Sequence, residues 1–164
     1  MQLYKSKLEV GYIMFLRMPP KIKVLEGAAA VADGRITVVS DNKAEVKSSD
    51  GSRSYIVYVD LKSKEACSTD NGTIHRRYIG YPIISFLMLK GILPYNDRIA
   101  KALSGINWRE LNEKYKNYNL VEEEVKKIAM SKGIFPNEID TFKERVYSAL
   151  KSLRFRYVPD RCTA

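Results

Sequence analysis

The chain has 164 residues, with 28 Lys or Arg against 19 Asp or Glu, a formal net charge of +9 and a pI near 9.5. A hydrophobic content of 45% beside 29% charged residues is that of a globular domain. The positive balance points to an anionic partner, and no apolar run reaches the roughly 20 residues of a membrane-spanning helix.

Gly11 to Met18 is a short apolar run without the small-residue cleavage pattern of a signal peptide. It reads either as a leading strand or as a sign that the biological start is Met14 or Met18, so residues 1–19 are set apart as an N-terminal extension. Pro19-Pro20 then punctuates, and Ile22, Leu25, Ala28, Ala29 and Ala32 recur at helical spacing. The pattern predicts a helix over 20–33, closed by Gly34. From Arg35 the period becomes two. Ile36–Val39 and Ala44–Val46 flank the turn signal Asp41-Asn42, Ser49-Asp50-Gly51 makes a second turn, and Ser54–Leu61 is dense in β-branched and aromatic residues. With a return strand at Glu65–Ser68 this is a four-stranded antiparallel meander. On its long strand Tyr55, Val57, Val59 and Leu61 share the face expected to lie under helices 20–33 and 82–90. Ile56 and Tyr58 share the other face with Lys43 and Lys47.

Residues 69–81 read as a polar loop and Pro82–Lys90 as a helix apolar nearly all round, hence buried. Gly91 and Pro94 end it, and Asp97–Ser104 is a short helix. Asn107 with Glu110 makes a capping-box-like start for a helix face of Trp108, Leu111, Tyr115 and Tyr118. Val121–Lys132 follows, and Pro136-Asn137 opens a last helix with the stripe Ile139, Phe142, Val146, Leu150 and Leu153. Leu153–Tyr157 alternates apolar and basic residues, as a frayed helix end, an added edge strand or a basic arm. The predicted class is α+β: an N-terminal helix, the meander, then a helical C-terminal half. Residues 20–92 form the core and 93–158 a helical segment packed on or extending it. The last two amphipathic helices offer a hairpin or a homodimer seam.

Cys67-Ser-Thr69 at a strand end and Gly80-Tyr-Pro82-Ile-Ile-Ser-Phe-Leu87 at a helix start resemble the SWIM-type zinc domain over residues 20–92. In that family a strand pair delivers Cys-x-Cys and the helix start Cys-x-His. Here the four slots hold Cys67, Thr69, Gly80 and Pro82, and one ligand cannot build a tetrahedral zinc site. The resemblance therefore implies a zinc-less scaffold and a binding module. In size, basicity and order the chain also resembles the single-stranded-DNA-binding proteins of thermophilic archaea, and a composition with one Gln and many Lys and Glu suits a thermophile.

Two cysteines, Cys67 and Cys162, make no disulfide framework, with Cys162 expected on a mobile tail in a reducing cytoplasm. Cys67 and His75 lack an acid to orient the imidazole as a base, and glycine-rich phosphate loops and His-Glu metal motifs are absent, so no catalytic residue, metal or cofactor is expected. Arg76 and Arg77 can pair with phosphates while Tyr78 stacks on a base. Lys43, Lys47 and Tyr58 make a sheet face of the kind that binds single strands, and Arg154 and Arg156 add basic residues near the C-terminus. The expected function is non-catalytic nucleic-acid binding, single-stranded DNA or RNA preferred over duplex. The alternative is a protein–protein interaction module or assembly subunit.

Overall fold

The structure is a computed structural model that describes residues 13–163. The rest of the N-terminal extension lies outside the described residues, and so does the start of the 11–18 run. Helix α1 (Ile22–Ala32) is followed by strands β1 (Ile36–Ser40), β2 (Lys43–Lys47), β3 (Ser54–Asp60) and β4 (Glu65–Ser68). Six helices come next: α2 (Asn71–Arg76), α3 (Tyr81–Leu89), α4 (Asp97–Ala102), α5 (Trp108–Tyr115), α6 (Tyr118–Ser131) and α7 (Pro136–Ser152). A short strand β5 (Arg156–Tyr157) and a 3₁₀ turn (Pro159–Cys162) close the chain. The architecture is α+β, with the helix, the meander and the helical C-terminal half in the predicted order.

The sheet runs β1-β2-β3-β4-β5, antiparallel through β4, with β5 parallel to β4. Of the three readings of Leu153–Tyr157, the structure takes the added strand. Beyond β5 the chain from Met14 to Arg17 continues the sheet: Leu16 N–H donates to the Phe155 carbonyl at 2.9 Å, and Tyr157 N–H to the Met14 carbonyl at 2.7 Å. These residues take the place of the leading strand.

Pairing of Val57 with Ala44 and Ser68, and of Val59 with Ala66, sets the predicted register. Val57, Val59, Ala44, Val46 and Ala66 are fully buried or nearly so, whereas Ile56 and Tyr58 on the other face are half-buried. Burial of one face fixes register because a one-residue slip would invert every side chain. Helix α3 packs on β3 and β4, and α1 packs on α3. That second contact depends on Gly27, whose missing side chain leaves room for Ile84; a Cβ there would lie 2.7 Å from Ile84 Cγ2.

Three local expectations are corrected. The polar loop contains a helical turn, α2, because the buried Asp70 carboxylate caps it through Thr73 N–H at 3.2 Å. The stripe from Trp108 to Tyr118 is not one helix. Lys116 takes a left-handed φ of 50°, and Asn117 recaps the chain by accepting from the N–H groups of Asn119 and Leu120. Cys162 is not on a loose tail. It is buried and disulfide-bonded to Cys67, with a Cα–Cα distance of 6.0 Å. Cys67 pairs across the ladder with Tyr58, so its side chain points to the second sheet face, where the 3₁₀ turn lies against β3 and β4.

Candidate functional site

A cleft of about 530 Å³ opens at the end of the sheet, where α1, the β2–β3 turn, α2, and the start of α5 converge. Each wall has a local cause. Lys23 and Glu26 stand three apart on α1, hence on one helix face, and their side chains meet at 3.1 Å. Tyr55 extends the core-facing row of β3 past Val57 and meets Tyr81 of α3 edge to face, with ring centroids 6.2 Å apart. Tyr78 packs against Gly72, where a Cβ would fall 2.2 Å from the ring, so only glycine leaves the tyrosine its place. On α5, Trp108, Arg109 and Asn112 face the cleft, and the β2–β3 turn seats that helix. Ser49 Oγ accepts from Trp108 N–H at 3.0 Å, and Arg109 donates to Ser52 Oγ at 2.7 Å. A second hollow of about 360 Å³ continues past Asn112 and Lys116 to Asn117 and Tyr118.

Several residues that line the cleft also form a buried polar network. Glu26 is 2% exposed and accepts from Lys23 Nζ and, at 3.2 Å, from Asn112 Nδ2. Arg35 donates through Nε to Asp33 at 3.1 Å and through Nη1 to the Lys47 carbonyl at 2.8 Å. Three buried atoms on residues that line the cleft have no partner among the described residues: Arg35 Nη2, Trp108 Nε1 and Asn112 Oδ1. A buried polar atom left without a hydrogen bond costs about 1–3 kcal/mol, and the surrounding side chains shield these three from the open cleft.

Charge states follow from the same packing. Burial alone would lower the pKa of Lys23, but the Glu26 carboxylate, helped by Tyr78 and Tyr118, outweighs it and the net shift is upward, keeping the ammonium charged. Burial pushes Tyr78 up to about 12 and raises Tyr81 and Tyr55 as well, so these phenols stay neutral hydrogen-bond donors near neutral pH. Five cationic side chains line the cleft against three acidic ones. Arg53 and Lys116 are exposed on its rim.

The sequence-selected residues fall in three places. Of the eight, only Tyr78 lines the cleft. Lys43, Lys47 and Tyr58 do share the second sheet face, where the Arg161 guanidinium lies 5.6 Å from the Tyr58 ring centroid. Arg77, Arg154 and Arg156 gather at the far sheet edge, each engaged. Arg77 stacks on Tyr157 at 4.7 Å, Arg154 on Phe15 at 4.3 Å, and Arg156 pairs with Glu65 at 3.0 Å. Arg76 is exposed, and its carbonyl accepts from Arg17. The resemblance's remaining slots have structural duties. Thr69 Oγ1 accepts from Ile56 N–H at 2.9 Å, and a Cβ on Gly80 would lie 2.2 Å from the Asp70 carboxylate. Among the described residues no three His, Cys, Asp or Glu side chains gather to hold a metal. With Cys67 bonded to Cys162 and His75 exposed on α2, the nucleophile–base pairing does not form.

Sequence reasoning missed Lys23, Glu26, Arg35, Tyr55, Trp108 and Asn112 as site residues. Two signals were present: a Lys and a Glu inside a helix otherwise built of small and apolar residues, and the chain's single tryptophan at a helix start.

The family model described as uncharacterised conserved protein UCP014422 matches residues 16–156. The chain belongs to this family. The matched span includes every wall of the cleft and stops short of the 3₁₀ turn that carries Cys162. No curated protein and no solved structure matches the chain.

Proposed function

We propose that this protein is a non-catalytic nucleic-acid-binding protein that prefers single strands and takes an unstacked base into the tyrosine-lined cleft. The observation that carries this reading is a concave cleft walled by Tyr55, Tyr78 and Tyr81 and lined by five cationic side chains against three acidic ones. A nucleobase offers polar edges to the charged lining and a flat face to Tyr55, Tyr78 and Tyr81, where stacking is worth about 1–3 kcal/mol per base. A duplex hides those faces and edges, which is why a concave site favours a single strand. Arg53 and Lys116 are placed to meet phosphates, the second hollow has room for the neighbouring nucleotide, and the +9 charge assists encounter.

The single tryptophan makes the test direct, because Trp108 emission reports on the cleft itself. Titration with a short single strand in about 0.15 M salt should change that emission saturably, and a matched duplex should bind more weakly. Arg53→Ala and Lys116→Ala should each reduce the salt slope by about 0.7. Equal or tighter duplex binding, or no binding, overturns the reading. A mononucleotide that binds as tightly as the oligonucleotide reassigns the cleft to free nucleotides.

A further inference from the structure

The two edges of the sheet are treated differently. Beyond β5 the chain from Met14 to Arg17 continues the sheet, with bridges from Phe15 to Arg156 and from Arg17 to Tyr78. At the other edge β1 ends the sheet, and no further strand pairs with it among the described residues. Lys47 N–H donates to the Arg35 carbonyl at 3.0 Å, and Ile36, Thr37 and Val38 stand opposite Val46, Glu45 and Ala44. The alternation of an antiparallel ladder then points the backbone groups of Thr37 at β2 and those of Ile36 and Val38 outward. Ile36 and Val38 lie on the face where Ala44 and Val46 are buried. Val38 is nevertheless 54% exposed, because β2 is the only element packed extensively on β1. Natural edge strands carry charge, proline or an inward lysine that blocks pairing. Ile36–Ser40 carries none of these, and its one irregularity, between Val38 and Ser40, leaves Ile36 to Val38 regular.

We propose that the β1 edge is an interface with a second copy of this chain, paired antiparallel about a two-fold axis at Thr37. This is independent of the nucleic-acid reading. A second copy fits because the edge is self-complementary. With Thr37 opposite its own symmetry mate, Ile36 of each copy faces Val38 of the other, and the outward N–H groups of each meet the outward carbonyls of the other. Apolar and Thr–Thr pairs directly opposite one another stabilise a sheet. A net charge of +9 makes two copies repel, and residues 36–40 bring no charge into the contact. Leu89 and Ile92, exposed on either side of Lys90 and Gly91, add apolar surface near the β1–β2 turn, where Lys90 donates to the Asp41 carbonyl. An edge this short buries less than the roughly 1,200 Å² of a stable complex, so the pair forms only in the micromolar range.

The experiment is sedimentation equilibrium of the full chain from about 1 µM to about 300 µM, beside amide exchange at both ends of that range. The mass should rise from 18.8 kDa toward twice that value. Exchange at Ile36 and Val38 should slow with concentration, whereas the Thr37 amide, turned toward β2, should be protected throughout. Val38→Lys places a charge at an exposed position in the pair and should weaken association at least about tenfold, with an unchanged unfolding midpoint. A monomer across the whole range overturns the proposal. Self-association that neither Val38→Lys nor the two amides register overturns the assignment to β1 and moves the contact to another surface, such as the C-terminal helices. Protection of both amides at every concentration means that the chain's own residues cover the edge. A mass that climbs beyond two copies means open-ended stacking. Either result overturns the two-fold pairing.

Discussion

Reducing the Cys67–Cys162 bond should cost much of the protein's stability and none of its cleft. The bond joins residues 95 apart in sequence and anchors the 3₁₀ turn to the second sheet face. In the chain-entropy account, a cross-link closing a loop of that length stabilises by about 4.7 kcal/mol, mainly by restricting the unfolded chain. For a domain of this size each kcal/mol is worth about 2–4 °C, so the transition should fall by roughly 10–20 °C. The assay is thermal unfolding by circular dichroism with and without reductant, beside thiol titration of the denatured protein. No thiols should be found before reduction and two after. The Cys67→Ala, Cys162→Ala double variant should reproduce the reduced protein, apart from the small loss of two buried sulfur atoms. Below its transition the reduced protein should keep its Trp108 emission and its response to a single strand, because Cys67 and the cleft-lining Tyr55 lie on opposite faces of the sheet. Two free thiols in the untreated protein would refute the cross-link. A transition that reductant does not move, although two thiols are released, would refute the magnitude. A cleft signal lost on reduction below the transition would refute the separation of the two faces.

Two further outcomes follow from the packing. Gly80→Ala should destabilise by about 1–3 kcal/mol, because its Cβ would displace the Asp70 carboxylate that caps α2; an unchanged denaturant midpoint would show that this carboxylate moves aside freely. At alkaline pH the sign is fixed by burial. Tyr78, pushed up to about 12, and the raised Tyr55 and Tyr81 hold their protons more tightly folded than unfolded, so the unfolded chain releases protons first. Stability should therefore be intact below the ordinary tyrosine value of about 10 and fall as pH rises through about 12. Native phenolate absorbance that develops fully near the ordinary value would contradict the burial of these rings.

Much of the fold was legible because local chemistry and burial agreed. The alternation of Tyr55, Val57 and Val59 gave the register, small residues between Ala28 and Ala32 gave a helix that could pack tightly, and Asn107 gave a helix start that the structure reproduces with Glu110 N–H at 3.1 Å. The corrections lie where tertiary contacts override local signals. Asp70 makes a helical turn of a polar loop only because it is buried beside Gly80, and the Trp108–Tyr118 stripe breaks because Lys116 and Asn117 turn the chain between two helices. Cys67 and Cys162 carry no mark of pairing in a linear reading; that required β5 to lie beside β4 and bring the C-terminus under Tyr58. The candidate site is of this second kind. Arginines beside tyrosines in sequence suggested Arg77 and Arg156, and the fold spends both on Tyr157 and Glu65. The residues that line the cleft come instead from α1, the β2–β3 turn, α2 and α5, which are far apart in the chain. Sequence determined which faces had to be covered, because burial of apolar side chains depends on nearby residues. Which polar atoms were left over depended on every neighbour at once, and only the tertiary structure decided it.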